Sequence, residues 1–246
     1  MHFKGLFLDA AGTLFHLTEP VGVTYSRMAG LHGVLVDSND VESAFRLAWK
    51  RHHAELRPAN SATLDDDRSW WFSIVKSTFE TASRAPLDDY RLEPLFAELY
   101  AHFAQPDAWT RFPDVPHALK HLSDIAPLHI LSNFDLRLHS ILTGLEIADY
   151  FDSVTLSSQV GTSKPHPQIF IHALQKAGIP APSALHIGDE RQADLEGATQ
   201  AGLYACLLDR PTLDLAAVAE KLSTGDDSCL QAPFNGVLKR PQIERG

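Results

Sequence analysis

One stretch constrains the chain more than any other: Phe3-Lys4-Gly5-Leu6-Phe7-Leu8-Asp9-Ala10-Ala11-Gly12-Thr13-Leu14. A short apolar run ends in a carboxylate and turns at once on Gly-Thr. Continuous apolar runs of this length mark strands covered on both faces, as in parallel sheets. Such a strand would deliver Asp9 to its C-terminal tip, where open α/β sheets bind their ligands. Two residues on, Ala11 stands where many sites of this kind carry a second carboxylate.

Further apolar runs at 128–132, 153–156, 184–187 and 203–208 read as strands, the first spanning 3–8. From about residue 116 they alternate with helical stretches at 116–124, 136–145, 167–177, 192–201 and 213–222. This alternation predicts an α/β fold: a Rossmann-like three-layer core with a parallel sheet. Residues 16–110 break the rhythm and read as helical throughout. Val41, Ala44, Phe45, Ala48, Trp49 and His52 share one helical face. Trp70, Trp71, Ile74, Val75 and Phe79 mark a second helix, and Leu92, Leu95, Phe96, Leu99 and Phe103 a third. Asn39 with Glu42 resembles a capping box. The Pro-, Ser- and Asp-rich stretch 57–67 reads as a solvated connection. The expected organisation is a core from residues 1–15 and 111–222, a helical cap at 16–110, and an irregular tail at 223–246.

Bulk properties narrow the function. A net charge of −10 over 246 residues argues against a nucleic-acid or anionic-membrane binder. No apolar run approaches the roughly 18 residues that span a bilayer. Two cysteines, Cys206 and Cys229, make no disulfide framework, and Cys206 reads as a buried thiol. A cytoplasmic location is the expectation; the oligomeric state is left open.

Strand ends and adjoining loops carry residues suited to a single kind of chemistry. They are Asp9, then Ser132-Asn133, Lys164 in Gly161-Thr162-Ser163-Lys164-Pro165, and Gly188-Asp189 with Asp194 five residues later. The physical reading is phosphoryl transfer to a carboxylate. Attack by Asp9 on phosphorus would form an aspartyl-phosphate and split one hard displacement into two easier ones. Asp9, Asp189 and Asp194 would repel a phosphate unless a cation neutralised them, and Mg²⁺ suits such an oxygen-ligand cluster. Lys164 supplies fixed positive charge. Ser132, Asn133 and the backbone around Gly12 supply donors for phosphate oxygens.

In this order the motifs resemble those of the haloacid dehalogenase superfamily, at Asp9–Leu14, Ser132, Lys164 and Gly188–Asp194. The resemblance covers nearly everything before the tail and implies a hydrolase core with an inserted cap. It implies that Asp9 is nucleophile and metal ligand, Ser132 a phosphate ligand, and Lys164 the group that orients both. It implies Mg²⁺ held by Asp9, Asp189 and the backbone carbonyl of Ala11, with Asp194 in support. A closer resemblance joins the chain to one branch of the superfamily through Ser132-Asn133-Phe134-Asp135, Lys164-Pro165-His166-Pro167, Ile169-Phe170 and Trp70-Trp71. Members of that branch also lack the two-aspartate first motif.

In the superfamily's phosphatases the position of Ala11 is an Asp that protonates the leaving group and then activates water, help worth about 10²–10⁴-fold. Four readings stay open. The first is a phosphatase of a small phosphorylated metabolite, with a cap group such as His16, Glu19, His32, His52 or His53 as proton carrier. The second is a 2-haloacid dehalogenase, whose halide needs no proton and whose relatives use no Mg²⁺. The third resembles phosphonoacetaldehyde hydrolase, with Lys50 forming a Schiff base. The fourth is a catalytically weak protein that binds a phosphate ligand or partner.

Overall fold

In the computed structural model, which describes residues 2–54, 67–83 and 88–234 (at 53 and 54 the backbone alone), the five apolar runs form parallel strands of one sheet. In chain order, β1 (Gly5–Leu8) is followed by a short strand β2 (Phe15–Leu17) and by helices α1 (Val21–Leu31), α2 (Ser38–Ala54), α3 (Arg68–Ala82) and α4 (Asp89–His102). Strand β3 (Trp109–Arg111) leads back to the sheet. The chain then runs α5 (Val115–Ile125), β4 (Leu128–Ser132), α6 (Arg137–Gly144), β5 (Phe151–Leu156), the short α7 (Ser157–Val160), α8 (Pro167–Ala177) and β6 (Ala184–Gly188). A π-helical turn at Arg191–Glu196 enters α9 (Gly197–Gln200), followed by β7 (Tyr204–Leu207), α10 (Leu215–Thr224) and β8 (Leu230–Gln231).

The sheet order is β5-β4-β1-β6-β7-β8. β1 pairs in parallel with β4 on one side and β6 on the other. The strand order diverges at β1, so the crevice over its C-terminal end is the natural ligand position. Alternation explains why β1 is apolar throughout. Leu6 and Leu8 pack on one face with Ile130, Leu185 and Ile187, while Phe7 packs on the other with Ile169, Phe170 and Leu203. Each such fully buried side chain contributes about 1.5–3 kcal/mol. A separate core of Val21, Tyr25, Val75, Phe79, Leu92, Leu95 and Leu99 ties α1, α3 and α4 together.

Three local expectations change, and a fourth lies almost wholly outside the described residues. Residues 16–110 are not helical throughout: β2 and β3 pair antiparallel at Phe15↔Arg111 and Leu17↔Trp109. The two passages into and out of the helices lie side by side and satisfy each other's backbone groups. Three-residue strands are too short for an alternating pattern to register. The capping box at Asn39 is replaced by Asp37, whose Oδ1 accepts from the N–H groups of Asn39 (2.8 Å) and Asp40 (3.3 Å). Glu42 instead accepts from the Gly22 N–H (2.8 Å), pinning α2 to α1. The connection at 57–67 falls outside the described residues apart from Asp67, which is buried at the start of α3. The tail is regular in part: β8 pairs antiparallel with β7 at Cys206↔Leu230. Its reason is the bare edge of β7, which Leu230 and half-buried Cys229 cover from the tail.

Candidate active site

The first carboxylate is positioned by the end of β1. The Asp9 N–H donates to the Ile187 carbonyl (2.9 Å), which carries the sheet ladder one residue past the strand. The chain then reverses. The Gly12 N–H donates to the Phe15 carbonyl (2.8 Å), and the Leu14 N–H to that of Ala10 (2.7 Å). Gly12 holds φ +88°, and a Cβ there would collide with the Asp189 carboxylate. Thr13 closes the turn by donating its hydroxyl to Asp189 Oδ1 (3.2 Å). Gly12→Ala is therefore expected to cost about 1–3 kcal/mol from backbone strain alone. Thermal denaturation measures it; an unchanged Tm would show that the turn can relax.

The lysine comes from the loop before α8. Asn133, just past β4, clamps that loop: its Nδ2 donates to the Lys164 carbonyl (2.9 Å) and its Oδ1 accepts from the Lys164 N–H (2.7 Å). The Asn133 amide is thus committed to Lys164's main chain. The Lys164 side chain is buried, and its Nζ donates to Asp9 Oδ1 (2.7 Å) and Asp194 Oδ1 (2.6 Å). Asp194 also accepts from His186 Nε2 (2.8 Å) and from the Glu190 N–H (2.9 Å). Gly188 makes room for this carboxylate, since a Cβ there would strike the Asp194 side chain.

Charge is unequally compensated. Burial works against the Lys164 ammonium, but Asp194 and Asp9 outweigh it and hold its pKa above the usual lysine range. Burial likewise opposes the Asp194 carboxylate, yet Lys164 and His186 outweigh it and keep it well below the usual range. Burial lowers the pKa of His186, so its neutral ring donates from Nε2. Asp9 is raised by burial, against the pull of Lys164. Asp189 is pushed up to about 7 by the desolvating protein around its carboxylate and by the neighbouring Asp9 and Asp194. The residue as a whole stays open to solvent, so an incoming cation can reach it. Asp9, Asp189 and Asp194 bring carboxylate oxygens within 4.8 Å of one another. Three acids facing one lysine leave negative charge that a divalent cation would neutralise, and an all-oxygen donor set fits Mg²⁺.

Asp9, Lys164 and Asp194 floor a cavity of about 810 Å³. Ala11, Gly12, Ser132 and Asn133 line it beside Asp9, Lys164 and Asp194; Asp189 does not line it but stands behind Gly12. The opposite wall comes from α1–α4. Of the proton-carrier candidates, His16 and Glu19 line the cavity. His16 Nδ1 donates to the Leu17 carbonyl (2.8 Å), which points to Nε2 as the basic nitrogen. His32 pairs with Glu98 (3.1 Å) and does not line the cavity; nor does His52. The His53 side chain lies outside the described residues. Lys50 is exposed on α2 and away from the cavity, which removes support from the Schiff-base reading.

Sequence reasoning does not find Arg137. Its Nε and Nη2 grip both oxygens of Asp135 (2.7–3.1 Å), and its guanidinium lies 3.9 Å from the Tyr100 ring centroid and 5.4 Å from that of Trp71. The Asp135/Arg137 spacing is visible in the chain. Its meaning depends on α3 and α4 crossing above it.

A Rossmann-like sheet here carries carboxylates near the tips of adjacent strands, with a lysine between Asp9 and Asp194, an arrangement that suits a hydrolase. Comparison with known proteins agrees. A family model described as haloacid dehalogenase-like hydrolase matches residues 3–202, and the chain belongs to that family. Haloacid dehalogenase-like hydrolase domain-containing protein 3 of Mus musculus is 35% identical over 209 residues, covering 85% of this chain and 82% of the relative. The HAD-hydrolase YfnB of Bacillus subtilis, solved bound to magnesium, superposes with a TM-score of 0.68 at 17% identity, over 92% of this chain and 100% of YfnB. L-2-haloacid dehalogenase of Xanthobacter autotrophicus superposes with a TM-score of 0.64 at 20% identity, over 91% of this chain and 83% of that one. At these identities the two structures speak to the fold.

Proposed function

We propose that this hydrolase is a Mg²⁺-dependent phosphatase of a small phosphorylated metabolite. The observation that carries the reading is Lys164 Nζ bridging Asp9 and Asp194 while Asp189 stands beside them, with no cationic partner among the described residues. A dehalogenase needs no metal site, so the surplus of carboxylates favours the phosphatase. Asp9, Asp189 and the Ala11 carbonyl would hold Mg²⁺. When bound, the ion would offset the charge of the carboxylates and of the transferred phosphoryl group.

The chain's own residues then divide the work. Lys164 favours the ionised form of Asp9 and turns its Oδ1 inward, leaving Oδ2 to attack phosphorus in line. Ser132 donates to an equatorial phosphate oxygen; the Gly12 N–H, expected from the sequence to do the same, is already committed to the Phe15 carbonyl (2.8 Å), so Gly12 serves by letting the turn close on the site. Asn133 positions Lys164, and Asp194 fixes the ammonium from the other side. The aspartyl-phosphate on Asp9 is then hydrolysed by water. The 16–110 helices act as the cap that shields this step from bulk solvent. The test is steady-state phosphate release from a panel of esters with and without Mg²⁺; no metal-dependent release above the Asp9→Asn background would overturn the reading.

Ala11 leaves the leaving group without a proton donor. Ala11→Asp is expected to raise turnover of alkyl phosphates by about 10²-fold. A fall instead would show that another cavity group, with His16 the first to substitute, already fills the role.

A further inference from the structure

The cap side of the cavity has an aromatic wall, and Ala11 offers no side-chain proton donor beside Asp9; both observations bear on one part of the substrate. Resting on the phosphatase reading above, we propose that the released group is aromatic: the substrate class is a small aryl phosphate monoester, its ring held between cap and core.

The wall comes from distant parts of the chain. Trp49 on α2 and Trp71 on α3 sit with ring centroids 5.5 Å apart at 35°, and both line the cavity with Tyr100 on α4 and Phe134 after β4. All four are half-buried, unlike the cap core residues Phe79 and Leu95, which are fully buried. Offset and edge-on contacts with such rings are what a planar aromatic ligand takes up. Of the two arginines that line the cavity, Arg137 is held by buried Asp135 (2.7 Å), while Arg46 is exposed and makes an i,i+4 surface pair with Glu42 (3.2 Å). The cavity, at about 810 Å³, has room for a ring system beside the phosphate.

Ala11 points to the same class by a separate route. An alkoxide leaving group, with a conjugate acid near pKa ~16 like water, depends on a proton donor. A phenolate, with a pKa of about 10 as in tyrosine, departs without one. Asp9 forms its bond to phosphorus as the bond to the aryl oxygen breaks; the oxygen keeps the electron pair and later takes a proton from solvent. Water then attacks the phosphorus of the aspartyl-phosphate. The bond to Asp9 breaks, the carboxylate recovers its electron pair, and water's proton passes to solvent. This second departure also needs no acid, because the leaving group is a carboxylate.

The test compares matched esters on the intact wild-type protein with Mg²⁺. Phenyl phosphate is expected to exceed cyclohexyl phosphate in kcat/KM by at least ~100-fold. Because intrinsic reactivity contributes to that ratio, the ring is isolated with benzyl and cyclohexylmethyl phosphates, whose leaving groups are both alkoxides. Benzyl phosphate is expected to have a KM at least ~5-fold lower. Trp71→Ala is expected to raise KM for phenyl phosphate about tenfold more than for acetyl phosphate, a shift that general loss of fold would not produce. Equal KM values for the benzyl and cyclohexylmethyl esters, or faster turnover of a sugar phosphate than of phenyl phosphate, would overturn the inference. Acetyl phosphate separates the two levels: if it is hydrolysed while the aryl preference is absent, only this inference falls. If neither it nor any ester is hydrolysed, the phosphatase reading falls and takes the inference with it.

Discussion

Asp9→Asn is expected to lower turnover of an activated phosphate ester by at least ~10³-fold while leaving the protein as stable as before. The two outcomes diverge for a physical reason. The amide has nearly the shape of the carboxylate but no charge with which to attack phosphorus, so the covalent route closes. Stability does not follow, because burial makes the Asp9 carboxylate an uncomfortable group and raises its pKa. Removing that charge relieves the crowding with Asp189 and Asp194, and Lys164 keeps its 2.6 Å bond to Asp194. The checks are burst and steady-state phosphate release for activity and chemical denaturation for stability. Turnover within tenfold of wild type would remove Asp9 from the role of nucleophile. A loss of several kcal/mol in stability would show that its charge is structural.

Lys164→Met is expected to do the reverse in stability, costing about 3–5 kcal/mol, along with the loss of activity. Methionine fills the space of the lysine stem but leaves Asp194, 1% exposed, and Asp9, 8% exposed, without their cation. Breaking a buried pair by deleting one partner leaves the remaining charge uncompensated, and that is the costly direction. The pH dependence has a definite sign. Asp194 is held below the ordinary carboxylate range, so its contribution is present above about pH 4 and is lost as pH falls through its depressed native pKa. Lys164 is held above the ordinary lysine range, so its contribution is present below about pH 10 and fades as pH rises through the raised native value. The stability gap between wild type and Lys164→Met should therefore be widest between about pH 4 and pH 10 and narrow on acidification. Urea denaturation across that range measures it; a gap independent of pH would mean that the methionine disturbs packing and not charge.

Much of this arrangement is legible in the chain, and the reason differs by element. β1, β4 and β6 are buried on both faces, so they read as short apolar runs, broken only by His129 in β4 and His186 in β6, and Asp9, Ser132 and Gly188-Asp189 stand where the runs stop. That places Asp9, Ser132 and Gly188-Asp189 at strand ends, and the recurrence of such ends points to one site. The flanking helices are legible through their period. β2, β3 and β8 are not, because two or three residues carry no pattern and their pairing is decided by what lies alongside. The cap of α2 sits at Asp37, two residues before the position its pattern suggests, because Asp37, Asn39 and Glu42 are all chemically able to cap. The choice is made when Glu42 turns to the Gly22 N–H on α1.

Fold class, family and the identity of the polar residues over the crevice follow from the order of amino acids alone, because they depend on local periodicity and on which side chains end each strand. Ala11 belongs to the same layer: the missing acid is a property of one residue and needs no coordinates. What those residues do to one another is settled only by folding. The folded chain puts Lys164 between Asp9 and Asp194, 155 and 30 residues away, and commits Asn133 to holding that lysine's main chain. It presses the Asp189 carboxylate against Gly12, beside two other acids, until its pKa rises to about 7. It also selects which aromatic side chains of the inserted helices turn to the cavity and which fill their own core, since Trp71 and Phe79 share one amphipathic helix. Hydrophobic period says that a residue is covered. What covers it, protein or ligand, is a matter of distance between elements, and distance between elements exists only in three dimensions.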